Sequence, residues 1–93
     1  MTPSDPMKTP LGRIVATPAA LGAVSQPGIV AALRRHAVGD WGDVTPDDRA
    51  ANDDALKSNE RILSVYQSAT GTTFWVLIEA DQSVTTVLLP DDY

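Results

Sequence analysis

The stretch "RILSVYQSATGTTFWVLIEADQSVTTVLLP", residues 61–90, decides the fold. It holds three runs rich in β-branched and aromatic residues, separated by two very short connections. "RILSVYQSA" (61–69) reads as a strand, and "TGT" (70–72) reads as a hairpin loop built on glycine. "TFWVLIEAD" (73–81) is apolar at every position from Phe74 to Ile78. A strand apolar on both faces belongs in the middle of a sheet. "DQS" (81–83) turns the chain again, and "SVTTVLLP" (83–90) stops at Pro90, which has no N–H to give a ladder. Connections this short join neighbouring antiparallel strands, so the expected unit is a three-stranded meander.

Upstream of the meander the pattern changes to helices. "TPDD" (45–48) combines a hydroxyl cap at Thr45, proline in the first helical position and Asp48 three residues after the cap. The helix that follows has only Ala51, Ala55 and Leu56 to bury, so Asp47, Asp48, Asp53 and Asp54 are expected in solvent. "SQPGIVAALRRHA" (25–37) opens on a Ser25 cap and places Ile29, Ala32, Leu33 and His36 on one helical face. Arg34 and Arg35 suit the negative end of its dipole, and Gly39 suits a C-terminal cap. Thr17–Pro18 starts a further short helix over 18–24, and "LGRIVAT" (11–17) is a candidate fourth strand. Pro3, Pro6 and Pro10 interrupt the first ten residues, which read as a flexible tail ahead of a single domain over 11–93. The expected class is α+β: a three-stranded antiparallel C-terminal meander, with an N-terminal strand as its candidate addition, packed against two or three short helices on one face.

Length and composition narrow the function. A 93-residue chain buries only roughly 60–65% of its surface, which leaves little core for a deep pocket. No cysteine is present, so disulfides, thiolate catalysis and Cys-based zinc sites drop out. No apolar run is long enough to span a bilayer, and the first residues lack the pattern of a signal peptide. A cytoplasmic protein without membrane association is expected. The net charge of −5 argues against direct nucleic-acid binding, which requires phosphate neutralisation by Lys and Arg. The charge is unevenly placed. Residues 1–39 hold Asp5 against Lys8, Arg13, Arg34 and Arg35, whereas residues 40–60 hold six aspartates and Glu60 against Arg49 and Lys57.

"HAVGDWGDVTPDDRAANDDA" (36–55) concentrates the residues that carry chemistry. His36 is the single histidine, and no nucleophile-elbow or triad spacing surrounds it. It is expected to pack beside Trp41 or to bond a carbonyl. The aspartates lack calcium-loop spacing, and one histidine cannot build the usual multi-histidine metal site. No metal or cofactor is expected. As a recognition surface the same residues make more sense. Asp40, Asp43, Asp47, Asp48, Asp53 and Asp54 fall within 15 residues, and a surface of that sign steers toward a basic protein partner. Trp41, framed by Gly39 and Gly42, either plugs the core from its loop or anchors that interface.

The segments "GDWGDV", "RILSVY", "TFWVLIEAD" and "SVTTVLLPDDY", spanning about residues 36–93, resemble small bacterial proteins carried by plasmids, integrative elements and prophages, loosely called plasmid-related proteins. No catalytic residue comes with that resemblance. It implies a mobile-element context, where accessory proteins often inhibit host defence, form toxin–antitoxin pairs or assist replication. The expected function is therefore a small acidic, non-enzymatic interaction protein that inhibits a host-defence or nucleic-acid-handling protein through residues 40–54. Two alternatives stand beside it. One is a small enzyme or RNA-cleaving toxin using His36 with Arg34, Arg35 or Asp40. The other is an oligomerising module that uses an exposed edge of the C-terminal sheet.

Overall fold

The computed structural model describes residues 11–58, 60–81 and 83–93. The proposed tail over 1–10 lies outside them. Four strands, three α-helices and a terminal 3₁₀ turn follow in the order β1 (Arg13–Ala16), α1 (Pro18–Ala23), α2 (Gln26–Ala37), α3 (Pro46–Ser58), β2 (Ile62–Gln67), β3 (Thr73–Ile78), β4 (Val84–Leu88) and Pro90–Asp92. The strands form one sheet in the order β1-β4-β3-β2. The meander is antiparallel as expected, with Val65 opposite Trp75 and Val76 opposite Val87. The N-terminal strand joins it, and joins it parallel to β4, with Ile14 opposite Thr85 and Ala16 opposite Val87. A parallel neighbour needs a crossover, which is what α1, α2 and α3 supply before the chain returns. The addition of β1 makes β4 an interior strand beside β3, so no edge of the sheet is formed by β4.

Local chemistry sets each helix end. The Thr17 side chain accepts the N–H of Ala20 at 3.1 Å, that of Ser25 accepts Gly28 at 3.3 Å, and that of Thr45 accepts Asp48 at 3.1 Å. In each case proline takes the first or second helical position, where its missing N–H leaves no bond unmade. At the end of α2 the backbone closes with Gly39 N–H on the His36 carbonyl and Asp40 N–H on the Arg35 carbonyl. The terminal turn begins at Pro90, where the strand was expected to stop.

The strand alternation sends one face of the sheet to the helices. Ile62, Ser64 and Tyr66 of β2, Phe74, Val76 and Ile78 of β3, and Thr85 and Val87 of β4 are buried there. Two apolar clusters result. The larger joins α1 and α2 to the sheet through Ala20, Val24, Ile29, Leu33, Tyr66, Phe74, Val76 and Val87. The smaller lies under α3 and gathers Trp41, Ala55, Ile62 and Ile78, with Val44 and Leu56 at its margin. Among the described residues no helix is long and apolar enough to cross a membrane.

Candidate functional site

The segment 36–55 links the two clusters, and its side chains are mostly occupied with fixing the chain. Asp40 leads. Its carboxylate takes a forked pair from Arg35, Nε at 2.7 Å and Nη2 at 3.2 Å, and also accepts the Gly42 N–H at 3.2 Å. The Arg35 hydrogen bond and the Gly42 N–H hold the Asp40 carboxyl below the usual carboxylate range, and Asp40 in turn raises Arg35. Both side chains are about half exposed, at 48% and 47%, so solvent screens the pair and it adds little to stability. Its contribution is geometric. The Arg35 guanidinium lies 4.8 Å from the Tyr66 ring centre, and the Tyr66 hydroxyl donates to the Asp40 carbonyl at 2.6 Å. Burial pushes the Tyr66 phenol up to about 12, so it stays a donor at any physiological pH.

Trp41 is 0% exposed. Its ring seals the smaller cluster from the loop side, and its Nε1–H donates to Asp53 at 2.9 Å. Trp41 therefore presents no surface to a partner, and Asp53 is spent partly on holding it. The plug, of the two readings of Trp41, is the one the structure adopts. Either side of it, the backbone pairs with the outer edge of β2: Val65 N–H reaches the Trp41 carbonyl at 3.0 Å, and Asp43 N–H reaches the Val65 carbonyl at 2.8 Å. Arg49 from α3 donates to the Gly42 carbonyl, and Asn52 donates from its amide to the Leu63 carbonyl at 2.8 Å. Asn52 is buried on the inner side of α3 and replaces the apolar anchor that the sequence of this helix lacks. Sequence reasoning passed over it; an asparagine three residues before Ala55 on the helix's thin apolar stripe is the signal that would have found it.

His36 is also 0% exposed. Its ring meets Trp41 edge-on with centres 5.4 Å apart, as expected from the sequence, and Nδ1 lies 2.6 Å from the Ser64 hydroxyl rather than on a carbonyl. Nε2 has no hydrogen-bond partner among the described residues. A histidine and a serine at this distance resemble half of a nucleophilic pair, but both are fully buried. Burial lowers the His36 pKa to about 4. In the unfolded chain the ring titrates near its ordinary value of about 6.5. Between those two values the unfolded state binds the extra proton, so the contribution of neutral His36 is complete above about pH 6.5 and is lost as the pH falls through about 4. The expected loss across that window is about 3 kcal/mol. Chemical denaturation at a series of pH values checks it: His36→Phe should flatten the profile between pH 6.5 and 4, and an unchanged slope would show that carboxylates alone set it.

The remaining carboxylates face outward. Asp43, Asp47, Asp48 and Asp54 are exposed, on the loop before α3 and along the helix itself. Almost all of α3 is exposed, because only Asn52 and Ala55 are buried and Leu56 half-buried. Of the seven residues singled out in the sequence, these four are exposed carboxylates with no internal side-chain partner among the described residues, Asp40 and Asp53 are exposed but bonded to Arg35, Gly42 and Trp41, and Trp41 is buried. No three metal-ligating side chains converge among the described residues. No family model, no curated protein and no solved structure matches this chain.

Proposed function

We propose that the protein is a small non-enzymatic interaction module that presents α3 and the loop before it to a basic protein surface. The observation that carries this reading is the way α3 is mounted. Trp41–Asp53, Arg49–Gly42 and Asn52–Leu63 tie its inner side to the loop and to β2. Asp43, Asp47, Asp48 and Asp54 are left facing solvent on a fixed frame. Carboxylates fixed beforehand give up less conformational entropy on binding than the same charges on a mobile loop. Such a surface suits a partner whose own surface evolved to hold phosphates, which fits an inhibitor of a nucleic-acid-handling or host-defence protein encoded by a mobile element. The enzyme alternative receives no such support, since His36 is sealed beneath Trp41.

The combined variant Asp43→Asn, Asp47→Asn, Asp48→Asn and Asp54→Asn tests the reading. These exposed residues make no internal bond through their side chains among those described, so the variant should melt within about 1 kcal/mol of wild type. Immobilised wild type should retain a basic partner from lysate of the source cell at low salt and release it at high salt, because exposed charges are screened. The variant should retain at least tenfold less of that same protein. Equal retention by both would remove the acidic surface from the binding site.

A further inference from the structure

The two edges of the sheet are treated differently. The β2 edge is covered by residues 41–43, which bond to Val65 from both sides. At the β1 edge, Arg13 and Thr17 donate inward to Ser83 and Val87 of the neighbouring strand segment. In that ladder the backbone groups of Ile14 and Ala16 point away from β4. Ile14 is 48% exposed, and beside it on the helix layer stand Leu21 at 61% and Val30 at 41%. These are three of the four large exposed apolar side chains among the described residues, and all three line one groove between β1 and the start of α2.

We propose that this edge pairs with the β1 edge of a second copy of the chain, antiparallel across a two-fold axis at Val15. In that register Ile14 of each copy lies opposite Ala16 of the other, and the two pairs exchange four backbone bonds. A two-fold axis perpendicular to the sheet keeps both helix layers on the same side, so Leu21 and Val30 of the two copies converge over the junction and are covered. The same register sets Arg13 opposite the second copy's Thr17. The Thr17 hydroxyl is bonded at 2.6 Å to Asp92, and Arg13 is exposed, so each copy offers a cation to the other's carboxylate. The charge layout permits the approach. The acidic helix α3 packs on β2, at the opposite edge of the sheet, and is kept far from the junction. The result is a continuous eight-stranded sheet with both α3 surfaces at its outer ends. The pairing is independent of what α3 binds.

Sedimentation of the full chain over a concentration series is the test. Wild type should sediment as a dimer, and Ile14→Lys should sediment as a monomer with an unchanged far-ultraviolet spectrum and cooperative melting. Arg13→Glu should weaken the dimer at least tenfold, and adding Asp92→Lys to it should restore part of that loss. In hydrogen exchange on the wild type, the amides of Ile14 and Ala16 should gain protection as concentration rises. A wild type that stays monomeric up to about 1 mM overturns the proposal, and so does a dimer that survives Ile14→Lys or leaves those two amides unprotected.

Discussion

Trp41→Ala is expected to lower the stability of the fold by about 3–5 kcal/mol. The side chain is fully buried and is the largest member of the cluster beneath α3. Its other members are Ala55, Ile62 and Ile78, with half-buried Val44 and Leu56, which are too few and too small to close over the space an indole leaves. The substitution also removes the edge contact to His36 and the bond to Asp53, so α3 loses one of its two side-chain ties to the loop as well as its packing. A domain of this size has a total stability of about 5–10 kcal/mol, so the variant should sit near the threshold of unfolding at 37 °C. Urea denaturation followed by circular dichroism measures it. Trp41→Phe separates the two contributions: it keeps most of the ring and loses the Asp53 bond, and should fall between alanine and wild type. If alanine costs less than about 1 kcal/mol, the indole does not plug the core, and an anchor role at the surface returns.

That both readings of Trp41 stood open in the sequence shows where sequence reasoning stops. Periodicity determined the local elements well. The apolar run Phe74–Ile78 marked an interior strand, and the Thr17, Ser25 and Thr45 caps marked three helix starts at the residues where they occur. These signals are local, because strand alternation and capping act over two to four residues. Partner choice across the sheet is not local. Whether β1 joined the sheet, and in which direction, depended on the crossover through three helices and on the buried Thr85 hydroxyl that holds the Leu11 carbonyl at 2.5 Å. The candidate surface divided for the same reason. All six aspartates of residues 40–54 look alike as charges. Only the fold shows that Asp40 belongs to Arg35 and Gly42, and Asp53 to Trp41, while the other four carboxylates face solvent.

Gly42→Ala is the sharper test of the loop, and a loss of about 4 kcal/mol or more is expected from a single methyl group. Gly42 has a φ of +76°, in the left-handed region, where an L side chain costs about 1–2 kcal/mol. The larger problem is space. A Cβ built there would lie 2.0 Å from the Val65 carbonyl oxygen and 2.8 Å from the Tyr66 ring. The carbonyl cannot retreat, because it is bonded to Asp43 and belongs to the sheet. The loop must move instead, breaking the two backbone bonds to Val65, each worth about 1 kcal/mol, and lifting Trp41 from its cluster. Gly71→Ala supplies the control: φ is +87° there, yet nothing lies within 4 Å of the new methyl, so only the cost of the backbone conformation remains. If denaturation returns the same loss for both variants, close approach to β2 is not what requires glycine at position 42. If the difference is large, a second consequence follows. With residues 41–43 displaced, the β2 edge carries unpaired backbone groups, and an open edge recruits other strands. Gly42→Ala should then aggregate with rising concentration even when Ile14→Lys has closed the β1 edge to pairing, which distinguishes loss of the protected edge from the dimer contact on the other side of the sheet.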